Sequence, residues 1–209
     1  MPPVFSEANF HRLCNRLARK DADLRSIIDQ YGYPPLWSRK ASFETLIHII
    51  LEQQVSLASA RAALLKLKER IGTVTPAKLL LLTDAELRSC YFSRQKIIYT
   101  RCLAEAVQNR KLSVSKLKEL PDDIVREQLT CIKGIGQWTA DVFLMMVLHR
   151  TDLFPTGDIA LMNSVRHVKQ QPHAAKEEIL KIADAWRPNR TIAAFLFWHA
   201  YIKRKNIIF

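Results

Sequence analysis

Apolar residues recur at helical spacing along almost the whole chain of 209 residues. In SFETLIHIILEQQ, Phe43, Leu46, Ile47 and Ile50 fall at i, i+3, i+4 and i+7, and Ile49 and Leu51 widen that stripe until it runs nearly all round. A buried central helix opened by Ser42 is the predicted result. LASARAALLKLKERIG is rich in alanine and leucine and stops at Gly72, a residue suited to the left-handed end of a helix. TDAELRSC places Thr83 and Glu86 three apart, the spacing of a capping box. Further helices are predicted at about 8–19, 22–30, 94–109, 122–131, 137–149, 159–169, 174–186 and 190–204. Only TVT before Pro76 reads as strand. Pro34-Pro35, Pro76, Pro121, Pro155, Pro172 and Pro188 separate these segments, as helix stops should. Neither a repeat of 20–50 residues nor a low-complexity linker interrupts them, so one helical body spanning 1–209 is expected.

Composition fits a folded chain: 48% apolar, 25% charged and 9% aromatic. The charge changes the picture. Thirty-two Lys and Arg against twenty Asp and Glu leave +12, which suits a polyanionic partner such as nucleic acid. Leu79–Leu82 and Phe143–Leu148, and even the longest purely apolar stretches Val142–Leu148 and Ile192–Trp198, are far short of the roughly 20 residues of a spanning helix, so no membrane partner is expected. MPPVFSEANFHRL has no basic head followed by an apolar stretch, and a cytoplasmic protein is the expectation. Cys14, Cys90, Cys102 and Cys131 lack metal-ligand spacing and are expected as small buried apolar residues.

The candidate chemistry begins at IKGIGQWTADV, which holds two of only five glycines. Gly134 and Gly136 lie between two predicted helices, where glycine permits positive φ and close approach of a foreign backbone. The helix N-terminus that follows offers free N–H groups to a phosphate oxygen. A tight turn between two helices explains the same glycines equally well.

LTCIKGIGQWTADVFL resembles the helix-hairpin-helix of DNA glycosylases, and the WTA after the second glycine resembles the 3-methyladenine DNA glycosylase II branch. IILEQQVSLASA at 49–60, FSRQK at 92–96 and WRPNRTIAAFLFWHAYI at 186–202 agree with it in order. The resemblance implies an all-α, two-lobed helix-hairpin-helix glycosylase fold with a central cleft, in two subdomains with the hairpin helices at about 122–149. It also implies that the N-terminal β domain of longer relatives is missing. The expected activity is monofunctional base excision: hydrolysis of the N-glycosidic bond of alkylated purines such as 3-methyladenine, flipped out of double-stranded DNA. A glycosylase for hypoxanthine or uracil, or a non-catalytic damage-binding module, stays open.

The resemblance also assigns residues. FPTGDIALMNSV brings Asp158 to the place of the catalytic acid, and the same residue reads as the N-cap of the helix from Ile159. A carboxylate near the sugar stabilises the positive charge that develops as the base leaves. Trp138 and Trp198 are candidate walls for the flipped base, though either could be ordinary core packing, and Val142 stands where some relatives carry an aromatic ring. Gly134, Gly136, Lys133, Gln137, Thr139, Gln53, Gln54, Ser93 and Arg94 are the expected DNA contacts, with Gln54 filling the gap left by the base. Strand-cutting relatives place a Schiff-base lysine where this chain has Trp138, so no lyase activity is expected. No cysteine follows Cys131, so no iron–sulfur cluster is expected and no cofactor is required. The backbone carbonyls of Thr130, Ile132 and Ile135 are the implied seat of a structural monovalent cation. The expected partner is damaged double-stranded DNA, met by a monomer associated with the nucleoid.

Overall fold

The computed structural model describes residues 2–207; Met1, Ile208 and Phe209, at the ends of the expected 1–209 body, lie outside. The chain divides into two compact units, one formed by Arg39–Phe143 and the other by Pro2–Ser38 together with the chain from Leu144 onward.

The first unit is built around α3 (Phe43–Glu52), opened by the Ser42 side chain accepting the Thr45 N–H. Leu46, Ile47, Ile49, Ile50 and Leu51 are fully buried, so the all-round apolar stripe does mark the centre of a core. Against it pack α4 (Leu57–Ile71) and α7 (Arg94–Gln108), with the short α5 (Pro76–Leu81) and α6 (Asp84–Ser89) on α7. Gly72 closes α4 at φ +66, and Thr83 and Glu86 form the expected capping box, the Glu86 carboxylate accepting the Thr83 N–H at 2.7 Å. TVT forms no strand. Thr75 caps α5 and Pro76 takes its first position, where the missing N–H is harmless. The unit ends with α8 (Asp122–Thr130) and most of α9 (Gln137–Met146).

The second unit has α12 (Arg190–Arg204) at its centre, buried continuously from Thr191 to Ala200. Packed on it are α1 (Glu7–Ala18), α2 (Ala22–Tyr31) and α10 (Ile159–Val168), with α11 (Lys176–Asp184) on α10. Asp21 caps α2 and also ties three segments together, accepting from Lys169 Nζ at 2.7 Å and Trp186 Nε1 at 2.8 Å. Burial alone would push its carboxyl pKa up. The bonds from Lys169 and Trp186 and the lysine's charge outweigh burial and leave it below the usual range.

Two further expectations are corrected. Helix 137–149 stops at Met146, because His149 takes φ +53 and the Arg150 N–H returns to the Leu144 carbonyl at 3.0 Å. A histidine does there what glycine usually does, which no glycine rule would find. Cys14 and Cys90 are buried, and burial pushes the Cys14 thiol up to about 12. Cys102, on α7, is only half-buried, and Cys131 is exposed, because it lies in the turn after α8 and not on a core face.

Candidate active site and nucleic-acid interface

Between α8 and α9 the chain turns through residues 131–136, held by Ile132 N–H on the Leu129 carbonyl and Ile135 N–H on the Ile132 carbonyl. Ile132 and Ile135 anchor the turn in the core, leaving Lys133, Gly136 and Gln137 exposed. The two glycines are there for different reasons. Gly134 has φ +93, and a Cβ on it would stand 2.0 Å from the Tyr99 ring, so the fold itself demands glycine. Gly136 has ordinary φ and nothing within 4 Å of the place a Cβ would take. Nothing internal requires glycine at 136; what its bareness leaves is open space at the N-terminus of α9, whose first N–H groups have no carbonyl of their own helix to bond.

Gln53 and Gln54 follow α3 and lie in the same unit. The Gln53 amide Nε2 donates to the Gly134 carbonyl and to Thr139 Oγ1, both at 2.9 Å. Gln54 is exposed and held at φ +58. The residues before this turn are fixed as well. Arg39 grips the Glu52 carboxylate with two bonds of 2.8 and 2.9 Å, and Lys96 Nζ donates to the Leu51 carbonyl at 2.5 Å. Burial lowers the Lys96 pKa. Ser93 is spent as the cap of α7, accepting the Lys96 N–H, and Arg94 beside it is exposed. Thr139 is 1% exposed and serves as the acceptor for Gln53; Val142 is 2% exposed inside the core. Trp138 is half-buried. Behind the turn, Gln137 and Arg126 both donate to the Asp141 carboxylate, at 3.2 and 2.8 Å.

The acid of the second unit is built by a helix start. Asp158 caps α10, its Oδ1 accepting the Leu161 N–H at 2.7 Å, and the same oxygen accepts Trp198 Nε1–H at 3.1 Å. Cap and candidate catalyst are therefore one residue. Trp198 is 8% exposed and lies edge-on to Trp37, with ring centroids 6.3 Å apart at 81°. Trp37, in PPLWSRK, is the more open of the two indoles and also packs on Phe195. Sequence reasoning missed Trp37, Tyr99 and Lys96. Trp37 sits in a proline-rich segment without a motif, and Tyr99 and Lys96 matter only through partners distant in sequence. Among the described residues, no group of three or more His, Cys, Asp or Glu could hold a metal ion.

The first unit thus carries a two-glycine turn opening onto an exposed helix N-terminus, and the second a helix-capping carboxylate bonded to an indole. The chain belongs to the HhH-GPD superfamily of base excision DNA repair proteins, whose family model matches residues 47–188. It is 30% identical over 180 residues to DNA-3-methyladenine glycosylase 1 of Schizosaccharomyces pombe, covering 84% of this chain and 79% of that one. A DNA-3-methyladenine glycosylase of Bacillus subtilis is 29% identical over 213 residues, covering 95% of this chain and 66% of that protein. The chain spans only 65% of another Bacillus subtilis relative. Among solved structures, the Schizosaccharomyces pombe enzyme in complex with abasic DNA aligns with a TM-score of 0.78 at 28% identity, covering 90% of this chain and 95% of that one. A DNA-3-methyladenine glycosidase from Bacillus halodurans aligns at 0.75 with 28% identity, covering 98% and 95%.

Proposed function

We propose that this chain is a monofunctional DNA glycosylase that hydrolyses the N-glycosidic bond of alkylated purines, 3-methyladenine first, in double-stranded DNA. One observation carries the reading: the Asp158 carboxylate, fixed by Leu161 N–H and Trp198 Nε1–H at a helix start. The names of the two 3-methyladenine glycosylases above support the choice of lesion.

An alkylated purine already carries positive charge. When the bond from the sugar breaks, its electron pair goes to the base, which departs neutral, so no separate general acid is needed. Positive charge then grows on the sugar, where a fixed carboxylate stabilises it without having to reorganise. Water adds to the sugar carbon, and its proton passes to Asp158 or to solvent. Reaching this geometry requires the nucleotide to leave the stack, at a cost of a few kcal/mol that is smaller for damaged pairs. Within the second unit, Trp37 and Trp198 offer indole surface to an electron-poor base. The exposed Gln54 is the side chain suited to enter the vacated space, and Gly136, Lys133 and Gln137 to meet the phosphates.

The Ile132 carbonyl accepts Ile135 N–H at 3.0 Å and retains a second lone pair. With the carbonyls of Thr130 and Ile135 it would hold a monovalent cation, which would supply positive charge facing a phosphate. The enzyme acts as a monomer and needs no iron–sulfur cluster.

The test is chromatography of free bases released from methylated duplex DNA, beside duplexes carrying single hypoxanthine or uracil lesions. Release of 3-methyladenine is expected. Release only from the other lesions would reassign the substrate. Tight binding to abasic-site DNA with no release from any substrate would mark a binding module. Borohydride should trap no protein–DNA adduct, since Trp138 cannot form a Schiff base; a trapped adduct would overturn the monofunctional reading.

A further inference from the structure

The turn bearing Gln54 is fixed more firmly than a surface turn needs to be. Gln54 occupies the left-handed region at φ +58, a conformation that a residue with a side chain keeps only where its surroundings hold it. The holding groups act on the three residues before it. Arg39 and Lys96 secure Glu52 and the Leu51 carbonyl, while the Gln53 amide reaches 81 and 86 residues along the chain to Gly134 and Thr139. Both Gln53 acceptors belong to the hairpin: Gly134 is its positive-φ corner, wedged against Tyr99, and Thr139 is in the first turn of α9. Gln53 is only partly exposed, and its Nε2, with two hydrogens, spends both inside the protein.

We infer that Gln53 is a positioning residue that joins the hairpin to the plug, so that the strand seated on the hairpin and the Gln54 side chain entering the duplex are held in one register. The inference rests on the DNA-facing reading of the hairpin and of Gln54. It differs from a direct DNA contact in what it predicts. A contact residue contributes to binding of any duplex, whereas a register residue contributes only where a gap waits to be filled. Removing the tie leaves the hairpin, its exposed Gly136 and its helix N-terminus in place, and frees the Gln53–Gln54 turn to wander.

The experiment compares wild type, Gln53→Met, Thr139→Val and Gln54→Ala, with the double variant of Gln53→Met and Gln54→Ala. Each is measured for affinity to undamaged duplex, affinity to duplex carrying an abasic-site analogue, and single-turnover base release. Gln53→Met should bind undamaged duplex within about twofold of wild type and lose about tenfold of its preference for the abasic duplex. Thr139→Val, which removes one acceptor and keeps the Gly134 bond, should fall between. The double variant should be no worse than the more affected single variant, because both act through one plug. Equal loss on both duplexes would show Gln53 to be a DNA contact or a brace of the hairpin alone, and would overturn the inference. So would an abasic preference within about twofold of wild type, or additive losses in the double variant. Should Gln53→Met fail to fold, Thr139→Val and the Gln54 variant carry the same comparison. A wild-type protein that binds abasic DNA but releases no base sinks the proposed function, while the two affinities still decide the role of Gln53.

Discussion

Replacing Asp158 by asparagine isolates charge from shape. Asparagine caps helices as well as aspartate does, and its carbonyl oxygen can accept the same two bonds, from Leu161 N–H and Trp198 Nε1–H. The fold and the position of the side chain should survive, with a thermal midpoint close to wild type. What disappears is one negative charge near the sugar. At about 4 Å and an effective dielectric near 20, its attraction to a developing positive charge is about 4 kcal/mol, or roughly a thousandfold in rate. Single-turnover release of 3-methyladenine from methylated duplex, quantified by chromatography, should therefore fall by about that factor. Affinity for abasic-site DNA should hold or tighten, since an anion has been removed from the neighbourhood of a polyanion. A rate within about tenfold of wild type would refute the electrostatic argument, because a loss under about 1.4 kcal/mol is too small for a carboxylate acting on the sugar.

Trp198→Phe keeps most of the buried ring and removes the indole N–H from Asp158. Base release should slow by roughly tenfold or more, the effect of losing a hydrogen bond to a charged group, with KM little changed in steady-state assays. The two hairpin glycines should separate cleanly. Gly134→Ala meets the Tyr99 ring and a strained φ, and should cost about 2 kcal/mol or more in urea unfolding. Gly136→Ala should leave stability within about 0.5 kcal/mol and instead weaken duplex binding in a titration. Burial holds both His48 and His149 below the ordinary histidine value of 6.5. Below pH 6.5 the unfolded chain then binds protons that the folded chain refuses, so stability is lost as pH falls. The urea midpoint should drop between pH 8 and pH 5.5, and a flat profile would contradict this.

Much of the fold was legible because helices advertise themselves locally. The 3.6-residue stripe of α3, the capping pair Thr83–Glu86 and the stop at Gly72 are decided within a few residues of sequence. The end of α9 was not, since His149 reaches positive φ only with the return bond from Arg150 to Leu144, and no residue type there signals it. At the site, the cap role of Asp158 could be read from the chain, while the indole bonded to it comes from α12, forty positions away. Gln53 shows the same limit. Its place in QQVS suggests a polar residue facing DNA, and only the folded unit brings Gly134 and Thr139 within 2.9 Å of its amide. Gly134 and Gly136 look alike in IKGIG, yet the Tyr99 ring demands glycine at the first while nothing inside the fold demands it at the second.

The central claim is that Asp158 acts on the sugar of a flipped, damaged nucleotide. A crystal structure with duplex DNA carrying a cationic abasic-sugar mimic tests it most directly. The predicted result is the Asp158 carboxylate facing the anomeric position at about 4 Å, the separation on which the rate argument rests. A mimic bound with its sugar turned away from Asp158, or DNA seated with no nucleotide flipped, would contradict the account.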